Sequence, residues 1–213
     1  MKTAKTALDG STGPPRPEPV GVVLAGGSSR RMGRDKTLLA SGSESLPARA
    51  ARRLAAVCAE VAVADRGRGL LPGLPSLPDG RGRGPAAGIL GAAEAYPGRR
   101  LLVLACDLPQ VPAGLLTALV QAPQTDWVVP RWREGVEPLC ALYGPAALAA
   151  LGRRIARGLF ALHELAEEDL AVRLLEEVEL ARFGDPAEIF LNLNAPEDWE
   201  RYVASDSISR RNS

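Results

Sequence analysis

From residue 20 to 39 the chain reads VGVVLAGGSSRRMGRDKTLL, and its chemistry is concentrated between Gly26 and Lys36. Arg30, Arg31, Arg34 and Lys36 supply cations suited to phosphate oxygens, the arginines as forks and the lysine as a point charge. Gly26 and Gly27 are expected to turn with positive φ and let the backbone approach a ligand. Successive N–H groups in such a turn form a concavity for anions. The combination predicts a grip on a polyphosphate. It is not the GxxxxGK[ST] loop, because no glycine precedes Lys36 at the required spacing, and it is not GxGxxG. A second candidate is Asp107, the carboxylate that follows the apolar run LLVLA in LLVLACDLP. Facing a triphosphate, it is placed to hold Mg²⁺, which binds through one or two carboxylates plus phosphate oxygens. An Asx turn ahead of Leu108-Pro109 would also explain an aspartate there.

These residues need a scaffold, and the hydropathy pattern supplies one. Val20–Ala25, Val61–Ala64 and Leu101–Ala105 are short apolar runs of the kind found in buried parallel strands. Trp127–Pro130, Leu139–Tyr143 and Val172–Val178 read as further strands. Helices are expected over Leu46–Ala59, Ala86–Tyr96, Pro112–Gln121, Pro145–Gly152, Phe160–Glu168 and Ala195–Val203, with residues 66–84 a glycine- and proline-rich loop. Strands alternating with helices predict an α/β fold, a three-layer α/β/α sandwich around a mostly parallel, Rossmann-like sheet. In such sheets ligands bind beyond the carboxyl ends of the strands. The basic glycine loop, the pair Asp65-Arg66 and Asp107 all follow strands. Residues 1–19, with four prolines, are expected to be a disordered leader, 20–203 a single domain and 204–213 a flexible tail.

Composition limits the function further. Twenty-six basic against twenty-five acidic residues leave a net charge of +1, so no global field draws the chain to nucleic acid or a membrane. No apolar run reaches membrane-spanning length, and no signal peptide is evident. Cys58, Cys106 and Cys140 are odd in number and set among apolar residues, as reduced core thiols of a cytoplasmic protein would be. The one histidine, His163, lies in FALHELAEE and reads as a surface or packing residue.

The pattern Leu24-Ala25-Gly26-Gly27, Ser29, Arg31-Met32-Gly33, Asp35-Lys36 resembles the signature loop of the nucleotidyltransferase family that includes molybdenum cofactor guanylyltransferase. Further matches run from about Val20 to Tyr202. Cys106-Asp107-Leu108-Pro109 resembles the CDxP segment that supplies the family's magnesium-binding aspartate. Gly84-Pro85-Ala86-Ala87-Gly88 resembles GPLAG, Glu137–Tyr143 resembles the strand carrying PLxALY, and Asn192–Asp198 resembles NVNTPEE. The resemblance implies the nucleotide-diphospho-sugar transferase type of fold, Mg²⁺ as cofactor, GTP as donor and molybdopterin as acceptor. It also implies transient contact with proteins of cofactor biosynthesis or molybdoenzyme maturation.

Residue by residue, it implies that Leu24, Ala25, Gly26 and Gly27 contact the nucleotide and that Arg31 and Lys36 neutralise its phosphates. Asp65 and Asp79 would serve the nucleoside, Gly84 would let the backbone approach base and ribose, and Asp107 would take both GTP and Mg²⁺. Asn194 would line the cleft, although capping of the last helix explains it equally. Asp65 departs from the asparagine common in the family, keeping an acceptor and losing two donors. The acceptor's own ionised phosphate is the nucleophile, so no general base is needed. The loop Arg131-Trp132-Arg133 could stack on a pterin, or be a plain exposed turn. Two readings stay open beside GMP transfer: a cytidylyl- or sugar-phosphate nucleotidyltransferase, and a non-enzymatic nucleotide-binding module.

Overall fold

The computed structural model describes residues 18–26, 40–41, 44–123, 125–133, 135–193, 198–200 and 202. Strand β1 (Val20–Leu24) lies at the centre of the main sheet, paired in parallel with β4 (Glu60–Ala64) on one side and β6 (Leu101–Ala105) on the other. All five residues of β1 and of β6 are buried, which accounts for runs that are apolar throughout rather than alternating. Beyond β4 sits a short edge strand, β5 (Ser76–Leu77). On the β6 side follow β9 (Cys140–Tyr143), β7 (Trp127–Trp132) and β10 (Val172–Leu175), while β8 (Gly135–Val136) folds back on β7. A separate two-stranded ribbon joins β2 (Ala40–Ser41) to β3 (Glu44–Ser45).

Strand β9 is antiparallel to both β6 and β7, so β7 and β10 run in the same direction as β1, β4, β5 and β6. The residues that enter β9 therefore arrive at the same edge of the sheet as the residues that leave β1 and β6.

Helices cover both faces. Helix α1 (Leu46–Ala55) begins where the Ser45 hydroxyl oxygen accepts from the Ala48 N–H, with Pro47 in the first turn. It packs so closely on β1 that a Cβ at Gly21 would stand 3.0 Å from Leu54 Cβ. Helix α2 (Gly84–Ala95) covers the opposite face, where a Cβ at Gly88 would stand 3.3 Å from Leu24 Cδ2. Positions 21 and 24 point to opposite faces of one strand, so α1 and α2 form the outer layers of a three-layer sandwich. Helix α3 (Ala113–Gln121) packs beside α1, and α4 (Pro145–Ala156) beside α2. Trp127 and Tyr143, both fully buried, anchor the far side of the core with ring centres 5.6 Å apart.

Several element boundaries differ from the sequence expectation. Helix α1 stops at Ala55, because Val57 and Cys58 turn back with N–H bonds to Leu54 O before β4 begins. Helix α4 runs on to Ala156, past Gly152. The segment 160–168 forms only a 3₁₀ turn, His163–Glu167. Strand β10 ends at Leu175, since the Glu176 and Glu179 side chains form a reciprocal capping box that opens α5 (Glu177–Leu180). Val178 is then 81% exposed, which its place in an apolar run did not foretell. A further short helix, α6 (Pro186–Ile189), starts from the Asp185 cap. Of the expected closing helix only 198–200 and 202 are described, and they are helical. Residues 1–17 of the leader expected over 1–19, and all of the tail expected over 204–213, lie outside the described residues; Pro19 is already buried.

Candidate active site

The chain passes from β1 through α1 to β4 on one side, then through β5 and α2 to β6 on the other. The switch in winding direction falls between the carboxyl ends of β1 and β6, where open α/β sheets bind ligands. There the ladder continues beyond the strands: Ala25 N–H donates to Ala64 O at 3.0 Å and Cys106 N–H to Leu24 O at 3.1 Å. Leu24 and Ala25 are buried and Gly26 is half-buried. Because the chain is still in register here, Gly26 does not take the positive φ expected of it. Gly27, Arg30, Arg31, Arg34 and Lys36 lie outside the described residues, as does Asn194.

Two arginines hold the strand ends: Arg66, which the sequence placed at this edge beside Asp65, and Arg68, which sequence reasoning missed. Arg68 Nη2 donates to Ala25 O at 2.6 Å and its Nε to Asp65 O at 2.9 Å, stapling the exits of β1 and β4 together. Arg66 takes φ +65°, a left-handed conformation uncommon for a residue with a side chain. Its Nε reaches the Asp79 carboxylate at 3.1 Å, and the side chain lies 3.5 Å from where a Cβ on Gly26 would be.

Asp65, expected at the nucleoside, carries a structural duty. The residue is fully buried, and both carboxylate oxygens are taken by its own loop. Ser76 Oγ donates to Oδ1 at 2.5 Å and Leu70 N–H donates to Oδ2 at 2.8 Å. Asp65 thus closes the glycine-rich loop that leads to Asp79. Asparagine there could accept at one oxygen only, which gives the departure from the family pattern a physical reason.

Asp79 is carried to the edge by a backbone-to-backbone contact. Gly80 N–H donates to Ala87 O at 2.9 Å, and a Cβ on Gly91 would fall 2.1 Å from Pro78 O. Gly88 adds to this: its missing Cβ would lie 3.7 Å from Asp79 Oδ1. Glycines three apart on an alanine-rich helix, opposite a Pro-Asp-Gly, were the available signal for this docking. Gly84 opens α2 with φ +58° and no atom within 4 Å of a would-be Cβ, so glycine is required there by conformation rather than by crowding.

Asp107 follows β6, half-buried, with its main-chain oxygen accepting Leu193 N–H at 3.1 Å. That bond brings Asn192 and Leu193 to the same edge. The charge of Asp107 reaches Glu137, which sequence reasoning assigned only to a motif. Burial pushes its carboxyl up to about 7; a hydrogen bond from Leu139 N–H opposes the shift and the charge of Asp107 adds to it. Among the described residues no group of three or more His, Cys, Asp or Glu could form an all-protein metal cage. A carboxylate beside bound phosphates is the arrangement Mg²⁺ tolerates without one, so the residues present fit that cation.

The segment Arg131-Trp132-Arg133, expected as a loop that stacks on an acceptor or as a plain turn, forms the end of β7 and the turn that follows it, and is engaged within the protein. Arg131 pairs with Glu176 at 2.8 Å, Arg133 lies over the Trp132 ring at 4.4 Å, and Trp132 meets Phe190 with ring centres 5.9 Å apart. His163 is exposed at the start of its 3₁₀ turn, well suited to a surface role.

Comparison with known proteins agrees with this geometry. A probable molybdenum cofactor guanylyltransferase from Pelotomaculum thermopropionicum is 34% identical over 206 residues, covering 90% of this chain and 96% of the relative. A molybdenum cofactor guanylyltransferase from Cereibacter sphaeroides is 34% identical over 203 residues, covering 91% and 98%. The crystal structure of molybdopterin-guanine dinucleotide biosynthesis protein A from Archaeoglobus fulgidus superposes with a TM-score of 0.76 at 25% identity, over 88% of this chain and 98% of that one. The family model of the MobA-like NTP transferase domain matches residues 21–171, the span from β1 to the threshold of β10 that carries the basic loop, Asp79, Asp107 and Glu137. On fold, edge geometry and sequence together, the chain belongs to the MobA-like NTP transferase family.

Proposed function

We propose that this protein transfers GMP from GTP to the terminal phosphate of molybdopterin, releasing pyrophosphate and forming the guanine dinucleotide of the cofactor. The observation that carries the reading is that Asp107, Asp79 and the exit into the basic glycine loop all follow the carboxyl ends of strands at one edge of the sheet. The names of relatives that cover nearly the whole chain supply donor and acceptor.

In this reading the nucleotide lies across the ends of β1 and β6, with Leu24, Ala25, Gly26 and Gly27 beneath it. Asp79 and the α2 entrance at Gly84 face the nucleoside, with Asp79 oriented by Arg66. Asp65 and Arg68 act at one remove, fixing the loop and the strand ends. Arg31 and Lys36 draw negative charge from the β- and γ-phosphates. Asp107 would hold Mg²⁺, which when bound supplies further charge neutralisation at the phosphates. An oxygen of the acceptor phosphate forms a bond to the α-phosphorus as the α–β bridge bond breaks, and the electron pair leaves with pyrophosphate. Positioning and electrostatics account for the acceleration, without a proton-transfer residue. Asn194 would cap the last helix and line the acceptor side. A cytoplasmic location and transient contact with proteins that deliver or receive the cofactor accompany this activity; among the described residues no helix is long and apolar enough to cross a membrane.

The test is product identity. Incubation with GTP, Mg²⁺ and molybdopterin should yield a species heavier than molybdopterin by one GMP, and Asp107→Ala should yield none. A product of that mass from the Asp107→Ala protein at the wild-type rate would refute the site assignment.

A further inference from the structure

Among the described residues the positions with positive φ are glycines, with two exceptions: Arg66 at +65° and Arg133 at +52°. Arg133 is tied down within the protein, its N–H donating to Glu177 Oε2 at 3.3 Å and its guanidinium lying over the Trp132 ring. Arg66 opens the sequence Arg66-Gly67-Arg68-Gly69, in which both glycines are also left-handed, at +71° and +65°. A glycine at 66 would give the same backbone without strain. The Arg66 side chain makes one hydrogen bond, from Nε to Asp79 Oδ2 at 3.1 Å, and the two side chains are 45% and 28% exposed. An ion pair so open to water contributes less than a left-handed residue with a side chain costs. Stability therefore does not account for an arginine at this position.

Its surroundings do. A Cβ on Gly26 would lie 3.5 Å from Arg66 Nε and 3.6 Å from its Cγ, so the side chain crosses from the exit of β4 to the exit of β1. A Cβ on Gly88 would lie 3.3 Å from Leu24 Cδ2 and 3.7 Å from Asp79 Oδ1, which sets the Asp79 carboxylate where α2 meets the end of β1. Among the described residues neither terminal nitrogen of Arg66 nor Oδ1 of Asp79 has a hydrogen-bond partner. The Nε–Oδ2 bond thus holds unused N–H donors beside an unused carboxylate oxygen. Guanine carries the matching edge, with the O6 acceptor next to the N1–H and N2–H donors. Cytosine in the same seat would turn its N4 amine to the arginine and a bare N3 to the carboxylate, a mismatch at both positions.

We propose that Arg66 reads the base: its terminal N–H groups donate to O6 of the guanine while Asp79 accepts from N1–H and N2–H. The inference rests on the proposed function, in which Asp79 faces the nucleoside, and adds to it a direct contact and a cause of selection for GTP over CTP.

The experiment compares wild type with Arg66→Gly, by calorimetric titration with GTP, 6-thio-GTP and CTP and by thermal melting without nucleotide. Glycine keeps the left-handed turn and removes only the side chain. Arg66→Gly should melt no lower than wild type and yet bind GTP at least about tenfold more weakly, the effect of losing a hydrogen bond from a charged donor. 6-Thio-GTP keeps both N–H donors but offers sulfur, a weak acceptor, in place of O6. Wild type should bind it several-fold more weakly than GTP, and in Arg66→Gly that difference should disappear. An equal preference for GTP over 6-thio-GTP in both proteins would overturn the contact with O6 and leave Arg66 as a residue that only orients Asp79. GTP binding unchanged in Arg66→Gly, or a melting temperature well below wild type, would also overturn the inference while leaving the proposed function standing. No GTP binding by wild type, or tighter binding of CTP, would overturn both.

Discussion

Gly91→Ala adds one carbon at the contact that carries Asp79 to the site. The new Cβ would lie 2.1 Å from Pro78 O, 2.7 Å from Gly80 N and 3.1 Å from Asp79 C. All three are backbone atoms, so no side chain can rotate away, and the 78–80 loop must retreat by about 1 Å to regain ordinary contact. Overpacking of this severity costs about 3 kcal/mol, the top of the usual range. Loss of the 2.9 Å Gly80 N–Ala87 O bond adds about 1 kcal/mol. The better helix propensity of alanine returns about 1 kcal/mol. The net loss of about 3 kcal/mol corresponds to a melting temperature lower by about 6–12 °C for a chain of this size. Differential scanning calorimetry reads it directly. Gly152→Ala in α4 is the control, since its Cβ would meet only Leu90 Cδ1 at 3.7 Å and the helix gains about 0.5–1 kcal/mol. The KM for GTP should also rise in Gly91→Ala and not in Gly152→Ala, because only the former displaces Asp79. A Gly91→Ala protein that melts at or above wild type would refute the close approach on which the placement of Asp79 depends.

Three other outcomes are expected. Lys36→Ala should weaken GTP binding far more than GMP binding in a calorimetric titration; equal losses would argue against a phosphate contact. For metal-free protein, the Glu137 carboxyl is raised from 4.5 to about 7 in the folded state. A raised value means that folding favours the protonated form, so this contribution is fully present below pH 4.5 and is lost as pH rises through 7, by about 2 kcal/mol after discounting for partial exposure. Urea titrations of EDTA-treated Glu137→Gln should show that loss removed, and an unchanged pH slope would place Glu137 in water. Cys58, Cys106 and Cys140 are buried, and burial pushes the Cys58 thiol up to about 11. Iodoacetamide at pH 8 should therefore label none of them until denaturant unfolds the chain, as mass spectrometry would record.

How much of this was legible in the sequence depended on whether a feature is local. β1 and β6 were, because a strand buried on both faces must be apolar at every position, and Val20–Leu24 and Leu101–Ala105 are. The start of α2 was, because Gly-Pro marks a first turn. The edge strand Ser76–Leu77 was not, since nothing in two residues within a glycine- and proline-rich loop announces a pairing that β4 imposes. α5 was hidden inside an apolar run whose end is set by the Glu176–Glu179 capping box. At the site, Asp107 stood out because it follows a strand, whereas the arrival of Glu137 at the same edge needs the reversed direction of β9, which no local pattern announces. The loop-closing duty of Asp65 was hidden for a related reason: its donors, Leu70 N–H and Ser76 Oγ, are brought to it only when the loop closes.

The most direct measurement is pyrophosphate release from GTP and, separately, from CTP, with Mg²⁺ present and molybdopterin added or withheld. The account predicts release with GTP only when molybdopterin is present, and little with CTP. Release that prefers CTP, proceeds equally without molybdopterin, or fails with both nucleotides would contradict it.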